Sequence, residues 1–250
     1  MMRLFVKLGG SLITKKFLGE RDIRRKLLEE ICADLTKLME EWEVIVAHGA
    51  GSFGHPLARK YGIDSGICEP LGVAATRASV VLLNALICSV MSESGLPAYP
   101  ISPAQLVVFR GESAASFNPE PVERALELGA LPVLHGDVVP SLPSGCRILS
   151  ADEVPLLLTT SPRLSPSLVV FLTDVPGILK DGSVLSELSL ARLSDVPLWS
   201  VGDATGGMKK KLEVAASLVG SGIEVVIGGF SRTGDLIKLV RREAGTRIVP

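Results

Sequence analysis

A lysine followed closely by paired glycines, Lys7-Leu8-Gly9-Gly10-Ser11, closes the first apolar run of this sequence. Glycine lets backbone amides approach a ligand because no Cβ stands in the way. A lysine on the strand just before them faces the same ligand as a positive charge, which suits a phosphate chain. On these five residues alone, an ordinary strand-ending turn explains the pattern equally well. A second cluster, His48-Gly49-Ala50-Gly51-Ser52-Phe53-Gly54-His55, follows the apolar run Glu43–Ala47. Gly49, Gly51 and Gly54 spell GxGxxG between a strand and a helix, the dinucleotide fingerprint. The physics beneath it is more general, since amides at a helix N-terminus bind an anion whichever molecule carries it. Position argues against a dinucleotide fold: this is the second strand, and no strand precedes Glu69 to present it to a ribose.

Two further strand ends carry similar chemistry. Leu172-Thr173-Asp174-Val175-Pro176-Gly177 ends one, and Asp203-Ala204-Thr205-Gly206-Gly207-Met208-Lys209-Lys210-Lys211 enters a helix, with Lys211 one turn inside. A solvated helix face accounts for at least one of these three lysines. No GxxxxGK[ST] occurs, so a P-loop is excluded. Four glycine-containing strand ends, with lysines at the first and last, are hard to explain as turns alone.

The elements that must position these residues alternate almost throughout. Leu4–Leu8, Val44–Ala47, Leu131–Leu134, Leu168–Leu172 and Val225–Ile227 read as continuous apolar strands of the parallel-sheet kind. Asp22–Trp42 reads as a helix, with Ile23, Leu27, Ile31, Leu35 and Leu38 on one face. Val73–Ser94 is a long helix, and others begin near Ser52, Glu120, Asp152, Gly207 and Asp235. The pattern is α/β, a mainly parallel sheet covered on both faces. Arg110–Pro121, Ser141–Arg147 and Thr159–Ser167 read as loops, and the Ser/Pro-rich Thr160–Ser165 is the candidate division between two lobes.

Composition narrows the partners. With 250 residues the chain can hold a full core. Charged residues are 21% and the net charge is −1, which argues against a polyanion-binding surface and hence against nucleic acid. The hydrophobic fraction is 47%, yet the most apolar stretch, Val80 to Met91, falls short of a membrane span. With no apolar leader at the N-terminus, the expectation is a soluble, cytoplasmic protein. The cysteines (Cys32, Cys68, Cys88, Cys146) show no metal-ligand spacing, and Cys32 and Cys88 read as buried small hydrophobes.

The ordered set (Lys-x-Gly-Gly-Ser, a glycine-rich turn after the second strand, Thr-Asp-Val-x-Gly, Thr-Gly-Gly-Met-x-x-Lys) resembles the amino acid kinase superfamily, and the match runs from Lys7 to Lys211. Gly51-Ser52-Phe53-Gly54-His55-Pro56 is similar to isopentenyl phosphate kinases, as are His135-Gly136-Asp137, Ser150-Ala151-Asp152 and a second lysine, Lys16, nine residues after the first. The resemblance implies a three-layer αβα sandwich forming one amino acid kinase domain over residues 1–250. Its acceptor-binding lobe would span about 1–160 and its ATP-binding lobe about 161–250. It also implies ATP with Mg²⁺, a prenyl monophosphate acceptor and a homodimer.

Carried over residue by residue, Lys7 would bridge the transferred phosphoryl group, Lys16 stabilise the transition state and Lys211 hold ATP. Gly9, Gly10, Ser11, Gly51 and Gly207 would line the ATP phosphates, with Asp174 on the nucleotide side. Asp152 would orient the lysines, and His55 would bind the acceptor phosphate beside Ala50 and Ala151. Those two alanines stand where glycine is expected in relatives, tolerable where φ is negative. His48 and His135 read as structural. Val73, Ala74, Val80, Val81 and Leu83 are candidates for either a prenyl pocket or ordinary core. No carboxylate cage for a metal is evident, which fits Mg²⁺ carried by substrate oxygens and water. Other acceptors within the superfamily (fosfomycin, uridylate, acetylglutamate, carbamate) and a non-catalytic nucleotide-binding regulator are the alternatives.

Overall fold

The computed structural model describes residues 2–15, 22–195 and 207–250. The chain opens with β1 (Met2–Leu8), a short turn of helix α1 (Gly10–Ile13), α2 (Arg25–Leu38), β2 (Trp42–His48), α3 (Gly51–Lys60) and the long α4 (Pro70–Glu93). Next come β3 (Ala98–Pro100), β4 (Val107–Arg110), β5 (Ser113–Phe117), α5 (Glu120–Glu127), β6 (Leu131–His135), β7 (Asp137–Leu142), β8 (Gly145–Leu149) and α6 (Val154–Thr159). The remainder is β9 (Leu168–Thr173), the hairpin β10 (Leu179–Lys180) and β11 (Ser183–Val184), β12 (Glu187–Ser189), α7 (Gly207–Gly220), β13 (Glu224–Gly229), α8 (Asp235–Val240) and β14 (Thr246–Val249).

The central strands are continuous Val/Ile/Leu/Phe runs because both of their faces are covered. They lie within an eight-stranded sheet ordered β12-β14-β13-β9-β1-β2-β6-β3, parallel except where β14 runs against β13. Alternation along β1 sorts the core into two layers. Leu4, Val6 and Leu8 pack with residues of α2, α4 and α8, whereas Phe5 packs with residues of α5, α6 and α7. Lys7 shares the parity of Phe5, so it emerges on the α6–α7 side. This is the expected three-layer αβα sandwich.

Helix α4 is long and apolar enough to cross a bilayer by length and composition. Here its Val80, Leu83, Ile87, Val90 and Met91 are buried in the core. The helix expected over Asp22–Trp42 is shorter at both ends: Asp22 turns outward to pair with Lys15, and Trp42 already begins β2. Two stretches read as loops are partly strands. β5 lies inside Arg110–Pro121, and Ser141–Arg147 holds the end of β7 and the start of β8, in a four-stranded sheet ordered β5-β4-β7-β8. β5 is an exposed edge with little apolar content, so it carries no burial signature.

Cys32 and Cys88 are buried and free, as expected, and burial pushes the Cys88 thiol up to about 12. Cys68 and Cys146, which the spacing did not pair, form a disulfide. Helix α8 has no side-chain cap of its own. Buried Asp34 on α2 supplies one across the fold, accepting the amides of Gly234 at 2.7 Å and Leu236 at 3.1 Å. Removing an acceptor from buried donors costs about 1–3 kcal/mol. Asp34→Ala should therefore lower the thermal midpoint while leaving turnover at low temperature near that of the parent, checked by calorimetry beside an activity assay.

Candidate active site

The carboxyl ends of β1, β2, β6 and β9 lie side by side, with Leu8 opposite both His48 and Leu172, and His48 opposite His135. Ligands in open parallel sheets bind outside these ends. Two glycine turns meet there, backbone against backbone. A Cβ built on Gly10 would lie 2.6 Å from the Gly51 nitrogen, and one on Gly49 would lie 2.8 Å from the Gly10 nitrogen. Gly51 has φ +48°, a left-handed conformation that disfavours other residues.

Most amides of these turns are occupied. The Gly9 amide donates to Leu172 O, Gly49 to Leu8 O, Leu12 and Ile13 to Gly9 O, and Phe53 and Gly54 to Ala50 O. Among the described residues, the amides of Gly10, Ser11, Ala50 and Gly51 meet no acceptor. They are the leading donors of α1 and α3, all only half-buried, and so are available to anions. Ala50 has φ −72°, and Ala151 is not at positive φ, so neither methyl strains the backbone.

Beside the turns lies a buried charge cluster. One oxygen of Asp152 accepts from Lys7 Nζ at 3.0 Å and Lys211 Nζ at 2.8 Å, and all three side chains are almost wholly buried. Desolvation alone would push the Asp152 carboxyl up, but the two ammonium groups outweigh it and hold it at about 2. Desolvation and the charge of Lys7 bring Lys211 down to about 8, against the opposing pull of Asp152. The other lysines of the triplet sit on the helix surface, Lys210 paired with Glu153 at 2.8 Å and Lys209 near Glu213.

A pH dependence follows. Lys211 is charged below its pKa, so an anion held by it should bind less tightly as pH rises through about 8. If Lys211 contacts a bound phosphate, that phosphate favours the cation, and the limb in kcat should lie above that in kcat/KM. Profiles of both from pH 6 to 10 check this, and coincident limbs would contradict it.

His55, on α3, is exposed at the rim of the site. Desolvation by the protein around its ring and the positive charges of Lys7 and Arg59 lower its pKa, favouring neutral imidazole. Ser11 is half-buried on α1, Gly207 opens α7, and Asp174 is exposed at the end of β9. Ala151 is buried beside Gly136. Lys16 and the Asp203–Gly206 motif lie outside the described residues. Of the five candidates for a prenyl pocket, Leu83 belongs to the core under the sheet and Ala74 and Val81 are exposed. Val80 approaches Gly54, and only Val73 joins a small apolar cluster with Tyr61, Ala58, Val138 and Ile148.

Sequence reasoning left His48 and His135 as structural, without partners. They are buried and stacked with ring centroids 5.7 Å apart. His48 Nδ1 donates to Gly49 O at 3.1 Å, and Asn84 Nδ2 reaches both His48 Nε2 and Val133 O at 3.1 Å. Burial and the neighbouring His135 push His48 down to about 3, so it stays neutral. Asn84 carries no motif; a polar residue within an apolar helix was the only signal it gave.

A family model described as the amino acid kinase family matches residues 2–229. The chain is 32% identical to the isopentenyl phosphate kinase of Methanothermobacter thermautotrophicus over 98% of both sequences. It is 30% identical to that of Arabidopsis thaliana over 90% of this chain and 86% of the relative. An acetylglutamate kinase of Sinorhizobium medicae matches at 26% over 82% of this chain and 80% of its own. A solved structure of isopentenyl phosphate kinase superposes with a TM-score of 0.82 and 28% identity, covering 99% of this chain and all of the other. The chain therefore belongs to the amino acid kinase family and groups there with the isopentenyl phosphate kinases.

Proposed function

We infer that the protein transfers the γ-phosphoryl group of ATP to isopentenyl phosphate, giving isopentenyl diphosphate and ADP in a mevalonate-type route to isoprenoids. The observation that carries the chemistry is the pair of apposed glycine turns, with four open amides, beside the buried Lys7–Asp152–Lys211 cluster. Both reactants are anions, so the protein's task is positioning and charge compensation rather than covalent help. A phosphate oxygen of the acceptor attacks the γ-phosphorus, the bond to the β-phosphate oxygen breaks, and ADP leaves with its electron pair. The acceptor oxygen is already nucleophilic, so no general base is required.

In this reading Gly9, Gly10, Ser11 and Gly207 line the nucleotide phosphates, and Lys211 holds them. Asp174 faces the nucleotide. Gly51 adds its amide to the nucleotide set, Ala50 and Ala151 line the acceptor phosphate, and His55 binds that phosphate from the rim. Lys7 bridges the transferred group and Asp152 fixes the two buried lysines. Mg²⁺ would travel with the ATP phosphates. Among the described residues no cluster of His, Cys, Asp or Glu suits a metal, and one Asp152 oxygen is committed to two lysines, so no step here runs through Mg²⁺.

The acceptor side is assigned to residues up to about 160 and the nucleotide side to the remainder, within one continuous sheet. A homodimer belongs to the same proposal, and the exposed Leu71, Val81 and Leu82 of α4 suit a covered face. So does a cytoplasmic location. The Cys68–Cys146 disulfide narrows that, since such bonds persist in a cytoplasm mainly in hyperthermophiles.

ADP release with Mg-ATP against isopentenyl phosphate, dimethylallyl phosphate, fosfomycin, uridylate, acetylglutamate and carbamate tests the reading. Turnover confined to the prenyl monophosphates is expected. Preference for another acceptor would discard the substrate assignment, and ATP binding without turnover would favour a regulator. Lys16→Met should lower kcat by about 10²–10³-fold, as loss of one transition-state donor does, with ATP affinity nearly intact. A rise in KM for ATP alone would give Lys16 a different role.

A further inference from the structure

The two glycine turns come from distant parts of the chain, and one hydroxyl joins them. Thr14 caps the end of α1 in an extended conformation and is 1% exposed. Its Oγ1 donates to Gly10 O at 2.8 Å and accepts from the Ser52 amide at 3.1 Å. Its own amide also donates to Gly10 O, at 3.1 Å. A bridge to Ile23 holds the backbone from the other side. The hydroxyl cannot move without moving a turn. A Cβ on Gly51 would collide with it, which shows how closely it is enclosed.

This bond also decides which amides remain open. Ser52 sits at the second position of α3, where helices leave donors unpaired. Thr14 takes that donor, leaving Ala50 and Gly51 as the open amides of the second turn. Gly10 and Ser11 are the open amides of the first. In the proposed reading the second turn gives Ala50 to the acceptor phosphate and Gly51 to the nucleotide, so the spacing of the two turns sets the spacing of the donor and acceptor phosphates. Transfer rates depend steeply on that distance, and about 1 Å of misplacement can cost about 10²-fold.

We propose that Thr14 is a positioning residue for phosphoryl transfer, its hydroxyl fixing the spacing between the donor and acceptor phosphate turns. The inference rests on the assignment of those turns to ATP and isopentenyl phosphate. Thr14 is enclosed by the protein, so it acts through its bonds to Gly10 and Ser52.

The test compares Thr14→Val, which keeps the shape and removes the hydroxyl, with Thr14→Ser, which keeps the hydroxyl. Steady-state kinetics with ATP and isopentenyl phosphate are read beside calorimetric binding of ADP and thermal midpoints. Thr14→Val is expected to lower kcat by about 10- to 100-fold, with ADP affinity within about threefold and full binding stoichiometry. Thr14→Ser is expected to restore kcat to within about threefold. A parental kcat per ADP-binding site in Thr14→Val, whatever its thermal midpoint, would overturn the proposal; so would equal losses in the valine and serine variants. Should the valine variant not fold, Thr14→Ala against Thr14→Ser, assayed below both midpoints, decides on the same criteria. A parent enzyme inactive on isopentenyl phosphate would instead refute the substrate reading, separating the two failures.

Discussion

Asp152→Asn should lower kcat by about 10²–10³-fold, the cost of losing one well-placed cation at the transition state. The substitution is nearly isosteric, so its effect is that of charge. Two ammonium groups lie 3.0 and 2.8 Å from one carboxylate oxygen, out of solvent. Without the anion they repel each other in a medium that already disfavours charge, and one of them gives up its proton or swings away. Lys211 yields first, because burial and Lys7 already bring it to about 8. The alkaline limb of kcat/KM for ATP should therefore move to lower pH in the variant. Stopped-time ADP assays across pH measure both effects, and a kcat within about threefold of the parent with an unmoved limb would remove Asp152 from the mechanism.

Gly10→Ala should abolish turnover to at least about 10²-fold below the parent, because its methyl enters the space between the two turns rather than solvent. The added carbon would lie 2.6 Å from the Gly51 nitrogen and 2.8 Å from its Cα, both backbone atoms that cannot rotate away. The turns must separate, and both pairs of open amides move with them. Overpacking of this kind costs about 1–3 kcal/mol, so the variant should fold with a lowered midpoint. Gly129→Ala is not an equivalent control, because φ there is +77°. Gly220, with open space at its Cβ position, is a better one. Its replacement by alanine should leave kcat unchanged. Equal activity in Gly10→Ala and Gly220→Ala would show that the turns tolerate separation.

The parts of this fold that were legible in the sequence are those governed by burial on both faces. β1, β2, β6, β9 and β13 are built around apolar runs, and each was located to within about two residues because such a run, buried on both faces, reads as a central parallel strand. The carboxyl ends of β1 and β2 carried Lys7, Gly10 and Gly51, the glycine-and-lysine entry to α7 carried Lys211, and the family resemblance supplied Asp152, all before their contacts were known. Edge strands were lost for the converse reason. β5 is Ser-Ala-Ala-Ser-Phe, exposed along most of its length, and polar residues at an edge look like a loop. The connections that hold the site together were also invisible. Thr14 to Ser52, His48 to Asn84 and Asp34 to Gly234 each join residues more than thirty positions apart. None of these polar side chains has a local periodicity to announce its partner.

The central claim is that a phosphoryl group passes from ATP to the phosphate of isopentenyl phosphate, and ³¹P NMR of the reaction mixture observes that bond directly. The account predicts that the monophosphate resonance gives way to the paired doublets of a diphosphate, in step with conversion of ATP to ADP. ADP formed together with inorganic phosphate, while the monophosphate resonance stays unchanged, would contradict it.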